Sequence, residues 1–141
     1  MKFIAILILI PFYLFSQNEN NLCEDLKNGT FELYKDEIKI GFIYRKNGFQ
    51  IEKYINKGGY TIVKIKQNEC VIQMNAYLIE TQLDTVTITT SYLNIKQGHY
   101  TFEGKPTYLD IDYIYKGSLV KIGDIVNEKI LRIFEDLEKE K

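Results

Sequence analysis

From Thr30 onward the chain is written in short stretches where apolar and polar residues alternate, rich in β-branched and aromatic side chains and broken by turn residues roughly every ten positions. Alternation sends successive side chains to opposite faces of an extended backbone, so each stretch reads as a half-buried strand and their succession as an antiparallel meander. The candidate strands are Thr30–Lys35, Ile38–Arg45, Phe49–Ile55, Tyr60–Lys66, Cys70–Ile79, Thr85–Ile95, His99–Glu103, Tyr108–Tyr115 and a last short one, Leu119–Ile122. In the second, Ile38, Ile40, Phe42 and Tyr44 share one face, and Lys39 and Arg45 share another that reads as outward. Lys46-Asn47-Gly48 and Asn56-Lys57-Gly58-Gly59 bracket the third, which pairs with the fourth as a hairpin.

After Gly123 the period changes. Val126, Ile130, Ile133, Phe134 and Leu137 recur at three and four while charged residues fill the other side, which predicts one amphipathic helix over 124–138 with Asp124 at its N-cap. The fold class is therefore mainly β: an up-and-down meander of eight or nine strands with a C-terminal helix. Two layouts fit it. A closed barrel removes both exposed edges and places the helix outside the wall or across an opening; a strongly curved open sheet would take the helix into its concave face.

Residues 1–16 stand apart. Met1-Lys2 opens a nearly unbroken apolar run from Phe3 to Phe15, the order of a secretory signal peptide cleaved after Ser16. The run falls short of the ~20 residues that span a bilayer as a helix, and Pro11 interrupts it, so no stable membrane span is expected after cleavage. Cys23 does not directly follow the run, which argues against lipid attachment there. Residues 17–29 read as a lead-in segment and 30–141 as a single domain, a size that supports a real core. In an exported chain with two cysteines, Cys23 and Cys70 have one pairing open to them; the alternative is two buried thiols. Residue usage high in Ile, Lys and Asn goes with an AT-rich bacterial genome, and the expected location is periplasmic or extracellular.

The segment Cys23-Glu24-Asp25-Leu26-Lys27-Asn28-Gly29-Thr30-Phe31, followed by a strand containing Arg45 and another that begins at Cys70, resembles a group of small exported bacterial β-rich proteins for which no function is established. The resemblance covers roughly residues 23 to 80. The architecture also resembles that of lipocalin-like domains, without their Gly-x-Trp motif, since the chain has no tryptophan. Architecture alone implies no activity.

Chemistry-bearing constellations are sparse. Net charge is −1 with both signs scattered, so no basic stripe invites nucleic acid. His99, the one histidine, follows a turn glycine and reads as a surface residue; the few serines form no nucleophile elbow. Asp110 and Asp112 share a strand face, a spacing that could hold calcium or flank a sugar bond, yet alternation demands polar groups there anyway. One histidine and two bridged cysteines build no zinc site, and no cofactor is expected. The 11 tyrosines are the most suggestive feature: Tyr44, Tyr92, Tyr100, Tyr113 and Tyr115 fall on strands, where they line a pocket or simply stabilise a sheet by cross-strand packing. The sequence thus points to a noncatalytic exported domain with a small apolar or amphipathic ligand, or else to a structural or protein-interaction module of the cell envelope with a packed core.

Overall fold

Each turn in the sequence folds the chain back on itself, and the strands pair in the order in which they are made. A computed structural model describes residues 23–77, 85–96, 98–106 and 114–140. Eight antiparallel strands follow one another: β1 (Gly29–Lys35), β2 (Ile38–Lys46), β3 (Phe49–Tyr54), β4 (Thr61–Asn68), β5 (Val71–Tyr77), β6 (Thr85–Lys96), β7 (His99–Pro106) and β8 (Tyr115–Gly123). β8 pairs with β1, Leu33 opposite Leu119, so the sheet closes into a barrel without edges. The last short strand expected at Leu119–Ile122 is the end of a longer one, β8, which begins at Tyr115; the strand expected at Tyr108–Tyr115 falls mostly on residues 107–113, outside those described. The β2–β3 connection is the expected turn, with Asn47 and Gly48 both at positive φ (51° and 80°), the conformation that matches the twist of a two-residue hairpin.

The interior is apolar. Phe31, Leu33, Ile43, Val63, Ile72, Met74, Phe102 and Leu119 form one buried cluster with Cys23 and Leu26. The outer faces carry Lys64, Lys66, Gln73 and Lys116, all exposed. No helix among the described residues is long and apolar enough to cross a membrane.

Helix α1 (Glu128–Lys139) lies on the outside of the wall, where Ile130 and Phe134 pack on Tyr44, Phe49 and Ile51 of β2 and β3. The open-sheet layout is thereby excluded. The helix starts later than expected. Its N-cap is Asn127, whose Oδ1 accepts the Ile130 N–H at 3.2 Å, while the backbone carbonyl of Asp124 accepts the Thr30 hydroxyl at 3.0 Å and ties the end of β8 to β1. The intervening residues turn the chain onto the wall. Ile125 joins the contact there, and Val126, expected in the apolar stripe, is 85% exposed.

A bulge decides where Arg45 points. Leu33 pairs with Gly41 but Tyr34 with Lys39, so β2 carries an extra residue at Ile40 and the parity of its two halves differs. Lys39 therefore stays outside, bonded to Glu32 across the surface, whereas Arg45 turns inward and is 1% exposed. The shared outward face expected for this pair does not exist.

Candidate functional site

Residues 23–26 lie across the barrel end where the β2–β3, β4–β5 and β6–β7 turns gather. Cys23 is paired with Cys70 just before β5, their Cα atoms 5.2 Å apart, within the range a disulfide requires. Cys23 and Leu26 are fully buried, and Lys121 Nζ donates to the Asp25 carbonyl at 2.7 Å and carboxylate at 2.8 Å. Beneath this plug sits the Arg45 guanidinium. Each of its three nitrogens donates one hydrogen bond: Nε to Gln50 Oε1 (2.7 Å), Nη1 to the Leu26 carbonyl (3.2 Å) and Nη2 to the Tyr92 hydroxyl (2.6 Å). The rings of Phe31 and Tyr92 flank it at 5.3 and 5.6 Å. A buried cation is costly unless its hydrogens find acceptors, and here the plug, β3 and β6 supply them.

Beyond Arg45, toward the opposite end, the barrel interior holds a cavity of about 330 Å³, at the lower end of the range for small-molecule sites. One side is apolar, made by Leu33, Ile43, Met74, Ile88 and Phe102. The other is a hydrogen-bonded row on β3, where alternation points Gln50, Glu52 and Tyr54 inward: Gln50 Nε2 donates to Glu52 Oε1 at 2.6 Å and the Tyr54 hydroxyl to Glu52 Oε2 at 2.9 Å. Thr90 and Tyr115 complete it, their hydroxyl oxygens 3.0 Å apart. Burial, reinforced by the Glu52 charge and hydrogen bond, holds the Tyr54 phenol far above its ordinary range. Burial also raises Tyr115, against the opposing hydrogen bond from Thr90. Both phenols therefore stay protonated, as neutral donors, at physiological pH.

Two glycines make the room. A Cβ on Gly104 would lie 1.9 Å from the Tyr115 ring, and one on Gly117 would lie 2.6 Å from the Phe102 ring. Each glycine stands directly across from the ring it admits. Phe102 and Tyr115 consequently fold flat into the lumen, their rings edge to face at 5.9 Å.

No family model, curated protein or solved structure matches the chain. The site must therefore be read from its own residues. Of the tyrosines singled out in the sequence, Tyr92 and Tyr115 line the cavity. Tyr100 is interior but belongs to the plugged end, with its hydroxyl 3.5 Å from the Asp25 carboxylate. Tyr44 faces outward beneath α1, and burial raises its phenol. Tyr113, Asp110 and Asp112 lie outside the described residues, as does the leader. His99 is exposed at the start of β7, opposite Lys96. The structure adds Gln50, Glu52 and Tyr54, which the sequence analysis did not single out, and Arg45, which it placed on an outward face. The apolar residues of β3, Phe49 and Ile51, look like its core face, but they are the face that α1 covers from outside. Among the described residues no group of three metal-ligating side chains comes together.

Proposed function

We propose that this barrel is a noncatalytic carrier or sensor that takes a small amphipathic molecule into its lumen after export. One observation carries the reading: the interior is not filled by side chains but leaves a cavity of about 330 Å³ with an apolar side and a row of oriented polar groups opposite. Such a site buries a hydrocarbon portion and fixes a polar one. The titratable groups around it are held by hydrogen bonds to one another and not arranged as nucleophile, base and orienter, which favours binding over chemistry. The buried disulfide and the apolar N-terminal run support export to an oxidising compartment, in keeping with the likeness to small exported bacterial proteins. Lysines on the outer wall favour a barrel bathed in water, since a lipid-embedded wall presents an apolar band outward.

Native mass spectrometry of the protein, purified from the compartment to which its own leader directs it, tests this directly. A carrier shows added mass that is lost on denaturation, and its melting temperature rises with ligand concentration. A bare mass, together with no thermal response to amphiphiles, sinks the carrier reading and leaves a packed interaction module of the envelope.

A further inference from the structure

We infer that the molecule held in this barrel carries a cationic head, an alkylammonium or related organic amine, set against the Glu52 carboxylate and the lumen tyrosines. The inference rests on the carrier reading and adds the charge of the ligand to it. Among the described residues two charged side chains border the cavity, Arg45 and Glu52, and they are not equally available. Arg45 is 1% exposed, all three of its nitrogens already donate to protein acceptors, and two rings flank its plane. It is solvated by the protein itself.

Glu52 is different. It is only half-buried, and each carboxylate oxygen accepts one bond from a neutral donor, Gln50 or Tyr54. A carboxylate oxygen can accept two bonds, so both retain capacity. No lysine, arginine or histidine among the described residues stands within ion-pair distance of Glu52. Among the described residues the accessible charge in the lumen is therefore negative and lacks a direct counter-ion. The same cavity is lined by Tyr54, Tyr92, Phe102 and Tyr115. Aromatic faces attract ammonium groups, and the Thr90 and Tyr115 oxygens offer acceptors for their N–H bonds. An anionic head would meet the Glu52 carboxylate, while the Arg45 guanidinium that could offset it is 1% exposed beneath the plug. A neutral hydroxyl head could donate one hydrogen bond to the carboxylate but would lack the attraction between opposite charges.

Three probes with one tail and different heads decide the point: octylamine, octanol and octanoate, titrated by calorimetry into the mature protein at neutral pH. Octylamine is expected to bind about tenfold or more tightly than octanol, the scale of one charge-assisted hydrogen bond in a partly dry site, with octanoate weakest. Glu52→Gln keeps the size of the side chain but removes its charge and one of its two acceptor oxygens, and is expected to abolish the preference for octylamine over octanol. The cation assignment is overturned, with the carrier reading intact, if octanoate equals or exceeds octylamine, or if the amine binds Glu52→Gln as it binds the native chain. Should none of the three bind, both readings fall. The order of affinities on the unaltered chain decides the matter even where the variant does not fold.

Discussion

At the scale of single residues, the buried arginine does structural work that its charge disguises. Arg45 joins three separate pieces of chain, the plug at Leu26, β3 at Gln50 and β6 at Tyr92, through one planar fork. Truncation to alanine would strip the donor from the Gln50 and Tyr92 side chains and from a buried carbonyl at once, and open a void beneath the plug. Arg45→Ala is expected to cost about 2 to 4 kcal/mol in urea unfolding, with the slope unchanged. Lysine is expected to restore little, because a single ammonium does not reach three acceptors in the geometry of a guanidinium. An Arg45→Lys protein as stable as the native one would show that charge, not the fork, is what the site requires. Glu52 lies one hydrogen-bonded link away, through Gln50, so the two opposite charges share one polar row without touching.

At the scale of the elements, strand alternation was legible in the sequence and gave the meander, its turns and its helix, because each of these depends on neighbours a few residues apart. The orientation of a strand's faces was not, because two devices act across the barrel. A bulge at Ile40 exchanges the faces within β2, and α1 covers Phe42, Tyr44, Phe49 and Ile51 from outside, so on β2 and β3 the apolar rule no longer marks the lumen. The polar row Gln50, Glu52 and Tyr54 is the consequence. Nothing local in the sequence marks Gly104 and Gly117, although each makes room for an aromatic ring across the β7–β8 pair. They differ in what an added methyl would strike. At Gly117 it meets the Phe102 ring and, at 2.8 Å, the backbone carbonyl of Tyr34, which cannot yield without disturbing the β1–β8 ladder. At Gly104 its three nearest neighbours are all atoms of the Tyr115 phenol, a side chain with the cavity beside it to move into. Gly117→Ala is therefore expected to lower stability by about 1 to 3 kcal/mol. Gly104→Ala is expected to stay closer to native stability while losing most of its affinity for octylamine. Equal stability losses in the two variants, read by urea unfolding, would contradict this distinction.

At the scale of the whole molecule, the disulfide, the plug and the ring of eight strands close one end, while the lumen beyond is rich in phenols kept from water. Cross-linking positions separated by 47 residues restricts the unfolded chain by roughly 4 kcal/mol on the loop-entropy view. The phenols give the barrel a distinct alkaline response. Burial raises Tyr54, Tyr115, Tyr100 and Tyr44 above the ordinary tyrosine value, the first of them furthest. In the unfolded chain each loses its proton near pH 10. Above that pH the folded barrel holds more protons than the unfolded chain, so unfolding releases protons and stability falls as pH rises. Below it both states are protonated, and these four groups contribute no pH dependence. Urea midpoints measured from neutral pH upward are expected to decline from about pH 10, and phenolate absorbance should show a late-titrating group that ionises only as the barrel opens. Replacing Tyr54 by phenylalanine removes the most strongly shifted phenol and is expected to flatten that decline, at the cost of the hydrogen bond to Glu52. If all the tyrosines of the folded protein titrate together near pH 10, the lumen is open to water and the row on β3 is not the desolvated site the cavity requires.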